Sequence, residues 1–325
     1  MLIGGGRSRE VDVAKALGIF LVVLGHCSRV EHMTGYIAAF HMPFFFLLSG
    51  FFLFNKEVPM REFVVKKVKT LLVPCMCFGL ILSTYSTLID WLRPHADIPL
   101  GLRYIGLFIN MREYPFPGSL WFLPCLFLVE VILYGLHKVI KGKWAFVASL
   151  VLLTCLGIGL HAAYGKGLPW SLDIALLVCG FTALGYWVRN KITCLLPPWV
   201  YALLLGLFVF CVEVNMSESG FTVDMYSCRL GNYGLFYAGA LLGIVLMQRV
   251  VMWLLPLKWL DFFGRNSLVV YALHYIFILP LSKLLDFVPL PPVLLSFIQA
   301  ILIMIILIPI IRFINAHYKW MLGQF

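Results

Sequence analysis

Apolar residues fill this chain in blocks of about twenty, the length an α-helix needs to cross a lipid bilayer. Ten such blocks lie near 11–28, 36–54, 71–91, 119–138, 144–163, 170–188, 198–214, 232–248, 262–281 and 291–312. The pattern predicts an all-α integral membrane protein: a bundle of about ten transmembrane helices in one polytopic domain over 1–325, with no separate soluble domain. Segment 55–70, NKEVPMREFVVKKVKT, interleaves bases with Phe63, Val64, Val65 and Val68. That alternation predicts an amphipathic helix lying on the cytoplasmic membrane surface. The aromatic and Pro-rich loop 92–118 is long enough to fold over a vestibule on the other side. The sequence shows no internal repeat and no inverted pair of broken helices.

Composition agrees with the pattern: 62% of residues are hydrophobic and 12% charged, with a mean hydropathy of +0.96, whereas soluble domains carry about 25% charge. With the N-terminus in the cytoplasm, the inner segments hold sixteen Lys and Arg and the outer loops seven, and Lys15 and Arg265 inside spans complete the 25. This asymmetry puts both termini in the cytoplasm. The net charge of +10 is then explained by orientation and anionic membrane lipid, and no nucleic acid is called for. The opening MLIGGGRSRE is too short and glycine-rich for a cleavable signal, so the first span is expected to be retained. Gly4, Gly5 and Gly6 match no nucleotide-binding pattern. The nine cysteines lie almost entirely within spans, fit neither zinc nor disulfide spacing, and read as small apolar packing residues.

The chemistry is carried by polar residues placed where hydrocarbon opposes them. Asp12, Lys15 and His26 stand in the first span, VDVAKALGIFLVVLGHCS. Eleven residues at about 100° each bring Lys15 and His26 onto one face, about 16 Å apart along the axis. Asp12 falls on the same side, so one polar stripe faces the bundle interior. His41 opens the second span and becomes a possible neighbour of His26. In the ninth, FGRNSLVVYALHYIF, Ser267, Tyr271 and His274 share a face at i, i+4 and i+7, with Asn266 beside them. Trp121 begins the fourth span and Glu130 lies deep within it, where a carboxylate must be protonated or meet a cation such as Lys15, Arg265 or His274. Asp173 and Arg229, the latter near Asn232, lie at outer helix ends and are candidates for a polar substrate.

Taken together, DVAKALGIFLVVLGH, FHMPFFFLLSGFFLF, KKVKTLLVP, LWFLPCLFLVE and FGRNSLVVYALHYIF resemble the membrane acyltransferase 3 family, most closely its branch related to fucose 4-O-acetylases. Lys15 and His26 match the family's Lys/Arg-x10-His element, and the middle of the chain, about 144–255, is similar mainly in hydropathy. The resemblance implies a catalytic histidine at His26, cytosolic acyl-CoA as donor and a sugar hydroxyl across a bacterial inner membrane as acceptor. Lys15 stands where Arg is commoner, which keeps the charge but loses the bidentate fork suited to phosphate. The soluble esterase-like domain that some relatives append is missing, so the reaction is expected within the bundle.

On this reading His26 is general base or transient acyl carrier, with Asp12, Lys15 and His41 in the same catalytic set. Lys15, Arg61, Lys66, Lys67, Lys69, Asn266 and Ser267 are expected to hold acetyl-CoA, whose extended arm is comparable in reach with the 16 Å estimated above. Trp121, Glu130, Asp173, Arg229, Tyr271 and His274 are expected to bind the glycan or glycolipid acceptor. The reaction calls for no metal. The rival from a different class is a transporter or flippase in which Asp12, Lys15, His26 and Glu130 relay protons.

Overall fold

A computed structural model describes residues 8–92, 100–109, 120–165, 167–191 and 195–324. Gly4 to Gly6, Cys194 and much of loop 92–118 lie outside them. Among the described residues the α-helices are α1 Arg9–Cys27, α2 Glu31–Ala38, α3 His41–Gly50, α4 Met60–Lys67, α5 Val73–Leu92, α6 Leu100–Ile109 and α7 Phe122–Val139. They continue with α8 Lys143–Tyr164, α9 Leu172–Val188, α10 Pro198–Ser219, α11 Tyr233–Leu254, α12 Leu260–Arg265, α13 Ser267–Leu285 and α14 Pro292–His317. The one extended pairing described is a single bridge between Asp224 and Arg229. Among the described residues, nine stretches are long and apolar enough to cross a membrane. α1, with 19 residues, is a tenth long helix and carries Arg9, Glu10, Asp12 and Lys15. The protein is an all-α, multi-pass membrane protein.

Three expected elements differ in detail. The second span is interrupted between α2 and α3 at Phe40 (φ −136°, ψ −19°), because Pro43 has no N–H and its ring crowds the carbonyl four residues back. The ninth divides at Asn266 (φ −113°, ψ 18°) into α12 and α13. The basic segment is not a separate surface helix: α4 runs through a π-helical turn, Val68–Leu72, directly into α5, and Pro74 just beyond gives that wider turn a cause. Part of loop 92–118 is ordered as α6.

The chain divides into two compact units. Unit 1 comprises Met1–Phe52, Leu184–Met225 and Arg229–Ile308, and unit 2 comprises Leu53–Ala183, Tyr226–Cys228 and Pro309–Phe325. In unit 1 α1 is the central helix: Val11, Val13, Ala14, Ala16, Ile19, Val22 and Val23 are all buried, so it is covered on every face, by α3, α11, α12 and α13. α12 approaches so closely that a Cβ on Gly264 would collide with the backbone of Asp12. Two ion pairs bind the same helices, Arg9 Nε to Asp261 Oδ1 at 3.1 Å and Arg265 Nε to Asp12 Oδ2 at 3.5 Å.

In unit 2, Phe63 and Lys67 sit one turn apart on α4 and meet Tyr134 and Glu130, one turn apart on α7. The Phe63 and Tyr134 rings stack 3.8 Å apart, Lys67 Nζ lies 2.8 Å from Glu130 Oε2, and the Tyr134 hydroxyl donates to the Val58 carbonyl at 2.8 Å. The buried carboxylate therefore takes its cation from the basic segment, and not from Lys15, Arg265 or His274.

Candidate active site on the first span

His26 is the penultimate residue of α1, which ends at Ser28 as the backbone turns extended (φ −64°, ψ 131°). The next residue, Arg29, fastens this end to its neighbours. Its backbone N–H donates to Ser296 Oγ (3.0 Å), and its guanidinium donates to Asp286 Oδ1 (2.6 Å) and the Ser282 carbonyl (3.2 Å). The last turn of α1 is thereby pinned to the end of α13 and the start of α14, and His26 is set against α13.

Two rings of α13 receive it. The His26 and His274 centroids are 5.3 Å apart, those of His26 and Tyr275 are 4.9 Å apart in an edge arrangement, and the Tyr275 hydroxyl lies 3.3 Å from His26 Nδ1. His274 is fully buried (0% exposed). Its Nδ1 lies 3.0 Å from the Val270 carbonyl and 2.8 Å from that of Tyr271, so this nitrogen carries the proton and donates. Nε2 of His274 is then an acceptor, buried and with no hydrogen-bond partner among the described residues. His26 itself is exposed. The site is thus an accessible imidazole backed by a buried one, with a phenol at its Nδ1 edge. Such a group can take a proton from a hydroxyl, or attack a carbonyl through its lone pair.

His41 makes a local bond, Nδ1 to the Ile37 carbonyl at 2.8 Å, and lies within electrostatic range of His26. The imidazole that lies against His26 is nevertheless that of His274, with the rings tilted by 31°. Asp12 sits fourteen residues from His26, about 21 Å along the helix, and its carboxylate faces Arg265. Lys15, one turn on, is half-buried. Asn266 uses its amide to donate to the Phe262 carbonyl (2.7 Å), closing α12, and Ser267 opens α13 beside it. Tyr271 is buried and lends its carbonyl to His274.

Arg229 is exposed, and its backbone pairs both ways with Asp224 at 2.9 Å. Asn232 caps α11, its Oδ1 accepting from Gly234 N (3.0 Å) and Leu235 N (3.2 Å). A separate cavity of unit 1, about 310 Å³, is walled by Ala14, Phe44, Leu47, Phe51, Leu241 and Ile244 with Gln248 at its edge. That lining suits hydrocarbon more than a sugar.

In unit 2, Arg61, Lys66 and Lys69 are exposed, while Lys67 is held by Glu130. Trp121 is buried, its ring 6.2 Å from that of Tyr226. Asp173 is wholly buried, 3.5 Å from His161 Nδ1.

Tyr275 was not among the residues expected from sequence, although it follows Ser267 and Tyr271 at i+8 on the same face. The signal was there in the periodicity and was masked by the neighbouring His274. Arg9 and Asp261 also gave no sign of pairing, because 252 residues separate them.

Comparison with known proteins bears on what this site does. Among curated proteins, the serine/alanine racemase of Enterococcus gallinarum is 26% identical over 178 residues, a match covering 49% of this chain and 24% of that protein. The chain thus spans about a quarter of that relative's length. No solved structure matches it. Residues 8–312 match the family described as an acyltransferase domain, a span that takes in α1, the interrupted second span and α13. The chain belongs to the acyltransferase 3 family.

Proposed function

We propose that this protein moves an acetyl group from acetyl-CoA, supplied from the cytoplasm, to a hydroxyl of a cell-envelope or exported glycan across a bacterial inner membrane. The observation that carries the reading is the environment of His26: an accessible imidazole, in a membrane acyltransferase, whose Nδ1 meets a phenol at 3.3 Å. With Nδ1–H donating to the Tyr275 oxygen, Nε2 keeps its lone pair and accepts the proton of the acceptor hydroxyl as the oxygen attacks the thioester carbonyl. The C–S bond then breaks, and the imidazolium returns the proton to the departing CoA sulfur. No charged partner holds the ring through the described contacts, so the proton can move both ways.

Lys15, at the other end of α1, is the candidate for CoA phosphate. A span of about 16 Å along the helix separates it from His26, comparable with an extended pantetheine arm. In unit 2 the exposed Arg61, Lys66 and Lys69 add a basic surface that raises the local concentration of an anionic donor. The proton-relay reading loses support from the same contacts, since Asp12 faces Arg265 and Glu130 faces Lys67.

The test is purified protein in detergent supplied with labelled acetyl-CoA and glycan fragments. Label should pass to an alkali-labile ester on sugar, and Lys15→Gln should weaken CoA binding while Lys15→Arg is tolerated. Movement of substrate into sealed vesicles without acyl-CoA, and no acetyl transfer, would install the transporter in its place.

A further inference from the structure

Three side chains from separate stretches of unit 2 converge on one another, and none of them is assigned to proton transfer above. They are His161 in the last turn of α8, Asp173 in the first turn of α9 and Cys228 in the three-residue segment Tyr226–Cys228. One nitrogen, one oxygen and one sulfur from this set all lie within 4.8 Å of one another. Asp173 is 0% and Cys228 5% exposed, and the His161 side chain is 25% exposed. The separation of 3.5 Å between His161 Nδ1 and Asp173 Oδ2 is long for a hydrogen bond. That nitrogen is buried with no hydrogen-bond partner among the described residues.

The backbone is shaped to bring these groups together. Gly157 lies one turn before His161 on the same face of α8, and a Cβ there would stand 2.9 Å from the Asp173 carbonyl oxygen, so glycine allows α8 its close approach to α9. Trp170 and Ser171, just ahead of Asp173, and Cys228 itself adopt left-handed backbone (φ 56°, 52° and 55°), which is unfavourable for residues with a Cβ. Such conformations persist where surrounding structure or a ligand over-determines them.

We propose that His161, Asp173 and Cys228 form a binding site for a divalent transition metal of the zinc class. Hard cations such as Mg²⁺ and Ca²⁺ take oxygen ligands, whereas an imidazole, a carboxylate and a thiolate together suit zinc and its neighbours. Zinc–ligand bonds of about 2.0–2.3 Å put one sulfur and two N/O ligand atoms of a tetrahedron roughly 3.3–3.5 Å apart, so the three groups need close by no more than about 1.5 Å. On binding, the Cys228 thiol gives its proton to solvent and the sulfur coordinates as thiolate. Three protein ligands leave a fourth position for water, reached past the partly exposed His161. The metal joins the end of α8, the start of α9 and segment 226–228, and Asp173 serves it rather than an acceptor sugar. The ligands are spaced 12 and 55 residues apart, which is why no metal motif is visible along the chain.

The experiment uses the full chain in detergent, stripped with a chelator and titrated with Co²⁺. A near-ultraviolet thiolate-to-cobalt band and tetrahedral visible bands are expected, displaced by Zn²⁺. In Cys228→Ser the charge-transfer band should vanish. In His161→Gln the Co²⁺ affinity should fall more than about 100-fold, beyond what outer-sphere changes give. Cys155→Ser, at an exposed thiol, should change nothing. Metal-free unfolding temperatures of all variants should match the stripped wild type, which shows that each is folded. An unaltered thiolate band in folded Cys228→Ser, or no band in the wild type, would overturn the proposal and leave a His161–Asp173 ion pair beside a packed thiol.

Discussion

At its first turns α1 offers Arg9 and Asp12 to Asp261 and Arg265, charge to opposite charge, whereas at its last turn it offers His26 to two uncharged rings. Both ends are fastened, yet at the first turns the ion pairs take up Asp12 of the stripe itself, whereas at the last turn Arg29 does the fastening and His26 is left out of any ion pair described. A charge that meets its complement is committed, because separating the pair strands its buried member, such as Asp12, in a poor solvent. An imidazole with neutral neighbours and an accessible edge is free to gain and lose a proton. Lys67 and Glu130 in unit 2 fall with the paired residues.

The sharpest way to break this comparison is His26→Ala. Removing a general base lowers turnover by roughly 10² to 10⁴, and by more if the imidazole carries the acyl group, while unfolding temperature and CoA binding should stay near wild type. Transfer is counted per folded, CoA-binding molecule. Near-normal turnover on that basis would place His26 with the structural residues.

Glu130→Ala is the complementary case, expected to damage stability first. Loss of one partner from a buried ion pair costs roughly 3–5 kcal/mol. About 3 kcal/mol is expected here, because Lys67 keeps some solvent contact, with a side chain 20% exposed. Adding Lys67→Met should restore much of the loss, since no cation is then left stranded. If the double variant is no more stable than the single one in detergent unfolding, the pair does not hold α4 to α7.

How much of this could be read from the chain follows from the range of each interaction. The spans were legible because a run of about twenty apolar residues has few other uses, and the ten blocks correspond to α1 and the nine long apolar stretches. The break at Phe40 was half-legible through Pro43. The division at Asn266 was not, since no proline or glycine pair marks it. The face of α13 was visible in its i, i+4, i+7 spacing, which grouped His274 with Ser267 and Tyr271 without saying which helix it would meet. Pairing between helices left no trace: Lys67 and Glu130 lie 63 positions apart, and the one read as a base for acetyl-CoA and the other as an acid in need of a different cation until α4 and α7 were side by side. His161 went unremarked for the same reason.

The smallest expected effect tests the idea from the Asp12 end. Asp12→Asn removes one charge from the pair with Arg265 and keeps a side chain of the same shape that can still accept a hydrogen bond. Arg265 is 53% exposed at its side chain, so it regains solvent when its partner is neutralised, and ion pairs of this kind contribute at most about 1 kcal/mol. Arg9 and Asp261, together with the Gly264 contact, go on holding α12 to α1. A drop in unfolding temperature of a few degrees is therefore expected, with turnover per folded molecule unchanged, because the substituted group stands about 21 Å along the helix from His26. Should folded Asp12→Asn instead lose activity as severely as His26→Ala, the two ends of α1 would have to work as one electrostatic unit, and the distinction between paired and unpaired polar residues would fail at its origin.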